Sequence, residues 1–379
     1  MTEARPAHLT VLHASHTGEG GVGACVGGFV SDQVARGWRV VVVTEPGSEL
    51  ARRVAVSGAA YVPWVATRNP TRRLVGEIRR LREIVGSARP DVVHLHSSKA
   101  GLCGRLAVRG RLPTLFQPHG WSFEAVDGTL ERIVVGWERL GARWADAIIS
   151  VSEAERARGL ARGIRGLYRV IPNGVDVTRF VQAGEPDRRA ARERLGLGKQ
   201  PLVVCVGRLS RAKGQDVLID SWPTVRSEVP EAERALVGDG EGMEELSRRA
   251  DPSIRLLGHR DDVTDWLAAS DVVAVPSRWE GMSLGMLEAM ATGRSLVVTD
   301  VPGAREAVDG TGAIVPPEDP AALAAAIAER LLDPAKRKTE GTAAAERARH
   351  NHDLRDTLRG VADLYEEVVR ARRAEDSAD

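Results

Sequence analysis

Cysteine is scarce in this chain. Cys25, Cys103 and Cys205 are odd in number and far apart, which excludes a disulfide framework or a zinc knuckle and leaves them as small buried hydrophobes. Aromatic residues are scarce too, at 4% of 379 residues, while Ala, Val, Leu, Gly and Arg are abundant, the mixture of a soluble α/β protein. Net charge is nearly absent: 53 Lys and Arg against 52 Asp and Glu leave a formal +1, which argues against a chain built as a whole to bind nucleic acid or anionic membrane. Local patches remain open. No apolar run has the length to cross a bilayer, and the first twenty residues lack the charged, apolar and small-residue order of a signal peptide, so the expectation is a cytoplasmic protein.

A chain of this length exceeds one ordinary hydrophobic core, so two domains with a cleft between them are expected. Short β-branched runs alternate with helical patterns throughout, the rhythm of βαβ units and parallel sheets. Strands are expected at 8–13, 39–44, 60–65, 92–96, 114–118, 147–150 and 169–171, with a glycine-rich loop after the first and a helix near 25–36. The run RVVVVT at 39–44 is apolar without alternation, as in a strand covered on both faces. A polar stretch then interrupts the pattern, and a second series begins with PLVVCVG. We read residues 1–182 as an N-terminal domain, 183–199 as a linker with one short helix, 200–350 as a second domain, and 351–379 as a helix, about 354–370, packing back on the first domain before a frayed tail.

Gly18, Gly20 and Gly23 match G-x-G-x-x-G, and Glu45 closes the next strand, which imitates a dinucleotide fingerprint. We set that reading aside because HASHT separates the strand from the first glycine, where a dinucleotide turn starts almost at the strand end. A glycine loop before a helix retains a use, since it lets a phosphate or sugar hydroxyl approach bare N–H groups.

In the second half, Gly207, Arg208 and Lys213 follow the strand PLVVCVG, where the carboxyl edge of a parallel sheet holds ligands and two cations on flexible stems suit a diphosphate. Read alone, those residues fit a solvated basic loop equally well. Glu280 and Glu288 in EGMSLGMLE follow the strand DVVAVPS, the first in a loop and the second inside a helix starting near Ser283, whose free N–H groups favour an anion. A carboxylate in the second turn can accept a bidentate bond from a ribose diol; it can equally cap the helix or pair with an arginine.

The order GRLSRAKG, LVGDGEG, LLGHRDDV and SRWEGMSLGMLEAMATG, preceded by GEGGVG, HLHSSKAG, PHGWSF, VSEAE and IPNGVD, resembles the retaining GT-B glycosyltransferases of family 4 over essentially the whole chain. That resemblance implies an α/β fold of two Rossmann-like domains with parallel sheets facing across a cleft. It further implies that Arg208 and Lys213 bind the donor diphosphate, that Glu280 holds the transferred sugar and Glu288 the ribose, and that the backbone of Gly207 and of Gly281, Met282, Ser283 and Leu284 meets phosphate and sugar. By the same likeness His119 lies beside the reacting centre, Gly20 and Gly21 approach the donor phosphate, and the backbone at His259 and Arg260 reads the base. Met282 and Ser283 stand where the family often has Phe-Pro or Met-Pro, and Ser295 where proline is common, departures that bear on donor-sugar preference.

No Asp-X-Asp motif of the metal-dependent transferases is present, so positive side chains are expected to replace a divalent cation, with no cofactor. The expected partners are a nucleotide-sugar donor, UDP-linked first, and a glycan, lipid-linked or small-molecule acceptor. Arg68, Arg72, Arg73, Arg79, Arg80, Arg82 and Arg89, opposed only by Glu77 and Glu83, form a basic region that suits an anionic lipid surface or is simply solvated. A nucleotide-sugar epimerase or phosphorylase and a non-catalytic sugar-nucleotide binder stay as rival functions, and His16 and His119 can each be ordinary turn or core histidines.

Overall fold

The computed structural model describes residues 8–67 and 71–377. The chain divides into two compact units, one of residues 1–172 with 357–379 and the other of residues 173–356. In the first, β1 (Thr10–Ser15), α1 (Gly20–Ala35), β2 (Arg39–Thr44), α2 (Glu49–Ala55), β3 (Ala60–Pro63), α3 (Leu74–Ala88), β4 (Val92–His96), α4 (Ser97–Val108), β5 (Thr114–Gln117), α5 (Gly128–Gly141), β6 (Ala147–Ser150), α6 (Glu153–Ala161) and β7 (Tyr168–Val170) follow in order. The second holds α7 (Glu185–Arg194), β8 (Leu202–Val206), α8 (Gln215–Glu228), β9 (Glu233–Val237), α9 (Met243–Arg249), β10 (Ile254–Leu256), α10 (Val263–Ala269), β11 (Val272–Val275), α11 (Leu284–Ala291), β12 (Ser295–Thr299), α12 (Ala304–Val308), β13 (Gly312–Val315), α13 (Pro320–Leu332) and α14 (Pro334–Asn351). The last helix, α15 (Leu354–Asp376), returns from Thr357 onward to the first unit.

Both sheets are parallel, so the α/β expectation of two Rossmann-like units is met. The first runs β3-β2-β1-β4-β5-β6-β7 and the second β10-β9-β8-β11-β12-β13. In each sheet the chain winds outward from a central strand and then crosses back to its other side, which creates a switch point between β1 and β4 in one sheet and between β8 and β11 in the other. Adjacent loops leave in opposite directions there, opening a crevice at the carboxyl ends of the strands.

Strand alternation divides the first unit's core. Leu12, Ala14, Val93, Leu95 and Phe116 pack on one face with Leu81 of α3 and Cys103 of α4. Val11, Val40, Val42, Val92 and Leu115 pack on the other with Val26, Phe29 and Val30 of α1 and Val361, Tyr365 and Val368 of α15. In the second unit Val203 and Cys205 face α8 and α13, while Leu202 and Val204 face α7 and α10.

Several expectations need correcting in detail. The first strand begins at Thr10 instead of position 8, and its helix begins at Gly20 instead of near 25, so Gly20, Gly21 and Gly23 are the opening turn of α1 and not a loop. A Cβ on Gly23 would lie 2.4 Å from the Gly18 carbonyl oxygen, so the tight entry into α1 needs glycine there. Cys25 is half-buried, unlike Cys103 and Cys205. The helix α15 continues to Asp376, through residues read as a frayed tail, and α14 was not anticipated. None of the described helices is long and apolar enough to cross a membrane.

Candidate functional site

The switch point of the second sheet gathers charge. After β8 the chain passes Gly207 and Arg208 into a short 3-10 turn, Arg211–Lys213, and after β11 it passes Ser277 and Glu280 into α11. Lys213 Nζ donates to Glu280 Oε1, and it lies 3.4 Å from Ser283 Oγ at the start of α11. Ser277 Oγ donates to the other Glu280 oxygen at 2.9 Å. The pair is only partly covered, with side-chain exposures of 22% for Lys213 and 17% for Glu280, so a ligand can reach it.

Three backbone contacts explain why these loops lie so close. A Cβ on Gly238 would sit 2.0 Å from the Gly207 carbonyl oxygen, and one on Gly303 would sit 1.7 Å from that of Gly281. Gly214, at φ +62, leaves no room beside the Pro276 carbonyl oxygen. Glycine at these positions lets main chain pack on main chain. Arg278 then clamps the Lys213 turn: its guanidinium holds both oxygens of Asp216 at 2.8 and 2.7 Å, the Arg211 carbonyl at 3.0 Å, and Glu318, while its own N–H donates to Ala212 O at 2.8 Å. These bonds keep the guanidinium charged and raise its pKa further above the usual arginine value.

The N-terminus of α11 is uncapped: Ser283 occupies its cap position without a side-chain cap bond, so the first N–H groups of the helix lack that partner and favour an anion. Gly281, Met282 and Ser283 are buried and Leu284 half-buried; buried Asn173 fixes this segment by donating to Met282 O at 2.8 Å. Arg208 is exposed and only loosely paired, 3.9 Å from Glu241. Glu288 lies half-buried in the second turn of α11. Exposed His259 and Arg260 follow β10, with Arg260 paired to its neighbour Asp262 at 2.8 Å and His259 3.5 Å from Asp261. The structure thus brings Lys213, Glu280 and Ser283 into contact and leaves Arg208, His259 and Arg260 on nearby exposed loops of the same unit.

The first sheet's switch point gathers neutral groups. Register places His13 of β1 beside His94 of β4, and His96 ends β4 two residues on, on the same face. His13 Nε2 is 2.8 Å from Gln33 Oε1, His13 Nδ1 is 2.9 Å from His96 Nε2, and His96 Nδ1 is 3.1 Å from His119 Nε2. His94 Nδ1 meets the Tyr365 hydroxyl at 2.5 Å. Burial pushes His13 and His119 down to about 4 and His94 and His96 well below the ordinary imidazole value, the latter two further by their neighbours' charge.

His119 has φ +54, a left-handed conformation that costs energy outside glycine and needs support. Glu155, in VSEAE, supplies it. Its carboxylate accepts from Gly120 N and Val151 N at 2.7 Å each, and its carbonyl accepts from Trp121 Nε1 at 2.8 Å. Burial raises this carboxyl to about 7, against the pull of those two N–H bonds. Gly20 and Gly21 open α1, whose cap residue Glu19 makes no side-chain cap bond. Glu45, in the loop after β2, accepts from Gly18 N in the loop after β1 at 3.4 Å.

Sequence reasoning singled out His119 but passed over Gln33, His13, His94, His96 and Tyr365; the only trace was HLH inside HLHSSKAG. It also passed over Arg278 as a clamp. Of the basic region, Arg68 lies outside the described residues. Glu77 does not oppose the arginines, because it is buried in an ion pair with Lys99 at 2.5 Å. Arg72, Arg73, Arg79, Arg80, Arg82 and Arg89 are exposed along α3 and its ends, Arg79 and Arg80 each 3.6 Å from Glu83.

Two family models match the chain, one described as Glycosyltransferase Family 4 over residues 19–179 and one as Glycosyl transferases group 1 over residues 200–333. A GDP-mannose-dependent α-(1-6)-phosphatidylinositol monomannoside mannosyltransferase of Mycolicibacterium smegmatis is 33% identical, covering 83% of this chain and 87% of its own. A UDP-Gal:α-D-GlcNAc-diphosphoundecaprenol α-1,3-galactosyltransferase of Escherichia coli is 31% identical over 65% of this chain and 67% of its own. Among solved structures, Anabaena HepE in complex with UDP-glucose superposes with a TM-score of 0.82 at 25% identity, covering 95% of this chain and all of that one.

Proposed function

Because this chain belongs to glycosyltransferase family 4, the group 1 glycosyltransferases with the GT-B fold, we propose that it moves a hexose or N-acetylhexosamine from a nucleoside diphosphate to an acceptor hydroxyl, retaining anomeric configuration and using no metal ion. The observation that carries this reading is the Lys213–Glu280 contact beside the uncapped N-terminus of α11, at the switch point of the second sheet. Cation, carboxylate and amide dipoles are what a sugar diphosphate requires in one place.

In this mechanism the bond from the anomeric carbon to the β-phosphate oxygen breaks and its electron pair stays with the phosphate. Lys213, Arg208 and the first N–H groups of α11 stabilise the charge that grows there, in the role a divalent cation has in other transferases. Glu280 orients Lys213 and accepts from hydroxyls of the sugar, while Glu288 accepts from the ribose diol and the backbone at Gly207 and at Gly281 to Leu284 lines phosphate and sugar. The acceptor oxygen attacks from the face the phosphate leaves, and its proton passes to the departing phosphate oxygen. His119 contacts the sugar near the reacting carbon; Gly20 and Gly21 offer N–H groups to the phosphate, and the main chain at His259 and Arg260 contacts the base.

A UDP-hexose is the first donor to test and GDP-mannose the second, since relatives of both kinds are similar to this chain. The acceptor class is a glycan, a lipid-linked sugar or a small molecule, and a lipid-linked one would be met by the exposed arginines of α3 resting on anionic headgroups. Melting curves with UDP-, GDP- and ADP-sugars should show one stabilising donor, and turnover of that donor should persist in EDTA. Activity lost to EDTA and restored by manganese refutes the metal-free mechanism, and an inverted product refutes retention. Failure of the protein to sediment with anionic vesicles at low salt removes the lipid contact.

A further inference from the structure

The four histidines of the first unit pose a chemical question that the transfer mechanism leaves unanswered. His13, His94 and His96 each offer a nitrogen within 4.8 Å of the others, a grouping that invites a metal ion. Ring geometry speaks against one. Two imidazoles on one tetrahedral ion, bound at about 2.0–2.1 Å, keep their ring centroids about 5 Å apart. Those of His94 and His96 are 3.9 Å apart. The 2.9 Å separation of His13 Nδ1 from His96 Nε2 is that of a shared proton.

A neutral imidazole has one N–H and one lone pair, so in a row of them each ring's choice dictates the next. The row here is anchored at one end by an amide. Gln33 presents Oε1, an acceptor only, to His13 Nε2 at 2.8 Å, which places the proton on His13 Nε2 and leaves Nδ1 bare. His13 Nδ1 must then accept from His96 Nε2–H, and His96 Nδ1 from His119 Nε2–H. His94 stands outside this row: its Nδ1 meets the Tyr365 hydroxyl at 2.5 Å, and its Nε2 is buried without a hydrogen-bond partner.

We propose that Gln33, His13 and His96 form a directed hydrogen-bond chain that fixes His119 as its Nε2–H tautomer, so that His119 Nδ1 is an acceptor for a substrate hydroxyl. Gln33 is the positioning residue, acting on His119 through two imidazoles. This rests on the assignment of His119 to the sugar made above. The row works because it stays neutral: burial holds all four imidazoles unprotonated at physiological pH, and a charged ring would donate from both nitrogens and end the chain. Gln33 is itself 1% exposed, and Phe29 stacks near His94 and His96 at 6.0 and 6.2 Å, which keeps water from offering alternative partners.

The experiment uses the full chain labelled with ¹⁵N-histidine, its donor, and the variants Gln33→Leu, Gln33→Glu and His119→Ala. In the unaltered protein His119 should give a pyridine-type Nδ1 and a pyrrole-type Nε2. Gln33→Leu removes the anchor, so His119 should show mixed tautomers and kcat should fall at least about tenfold with donor KM little changed, on the scale of a lost oriented contact. Gln33→Glu sets a carboxylate beside His13, which draws a proton onto that ring, so the variant should stay slow and His13 should show two protonated nitrogens. Retention of the donor-induced rise in Tm in each variant shows that the molecule is folded and the second unit intact. A protonated Nδ1 on His119, wild-type kcat in Gln33→Leu, or stoichiometric zinc in the purified chain overturns the proposal. Undiminished turnover in His119→Ala sinks the assignment of His119 instead, and the nitrogen spectra still decide the direction of the chain.

Discussion

The two units share a topology and use opposite electrostatics. Each winds a parallel sheet that reverses direction once, and each places its chemistry where β1 meets β4 or β8 meets β11. At the first, buried imidazoles bond in a row and none carries charge; at the second, half-covered Lys213, Glu280, Arg278 and Asp216 are paired ions. Burial accounts for the difference. A fully desolvated imidazole with no acidic partner discards its charge, whereas an ion with a partner within reach keeps it, as Lys99 and Glu77 do even when buried. One fold therefore supplies a neutral, direction-setting network and a field for a developing anion.

Acid should break the comparison most severely, because it charges only one side of it. Burial lowers His13 and His119 to about 4 in the folded chain against an ordinary 6.5, and holds His94 and His96 well below that ordinary value. Above pH 6.5 both folded and unfolded chains hold these rings neutral. Below it the unfolded chain takes up protons that the folded one refuses, so stability falls as pH drops from 6.5 to about 4. Each ring contributes a slope of up to about 1.4 kcal/mol per pH unit. Glu155, raised to about 7, and Glu124, raised by the same desolvation, act the other way, but four rings outweigh two carboxyls. Calorimetry of the full chain should show Tm declining steeply from pH 6.5 to pH 4.5. A flat profile there contradicts a neutral histidine row.

Removing a charge from the other side should cost rate instead of stability. Lys213→Ala is expected to lower kcat at least about a hundredfold, the scale of a lost oxyanion donor, while donor KM changes little. The unpaired Glu280 stays near enough to solvent for the fold to survive. Steady-state kinetics with the donor found by melting curves decides it, and wild-type turnover in the variant refutes the role of Lys213.

The same contrast governs what the sequence made legible. Lys213 and Glu280 could be found because charged residues stand out beside apolar strands, and the loop that follows a parallel strand is where a ligand belongs. His13, His94 and His96 could not. They sit inside strands, and only the pairing of β1 with β4 makes them neighbours across 81 and 83 positions of sequence. The start of α1 was hidden because glycine disfavours helix interiors, yet Gly23 is needed where the helix crosses the Gly18 carbonyl. The helix α14 escaped notice for a different reason. Its buried face is Gly341, Ala344, Ala345 and Ala348, residues too small to mark an apolar stripe, and a Cβ on Gly341 would lie 2.2 Å from the Gly293 carbonyl oxygen. Close backbone approach leaves a weaker mark in sequence than large side chains do.

Arg278 offers the finest test, since it touches neither proposed substrate nor the reacting bond. It binds Asp216 in α8, Glu318 after β13 and two carbonyls of the turn that ends in Lys213, so it sets where the lysine stem begins. With Gln in its place the turn keeps its sequence but loses the two-pronged grip on Asp216. Loosening of a catalytic group by a fraction of an ångström should lower kcat about tenfold, well short of deleting Lys213 itself. Arg278→Lys keeps the charge and cannot reproduce the planar fork, so it should recover little of that loss. Combining Arg278→Gln with Lys213→Ala should then add almost nothing to the single lysine variant, because a clamp matters only through what it holds. Multiplicative losses in the double variant would show that Arg278 acts on the donor by a separate route.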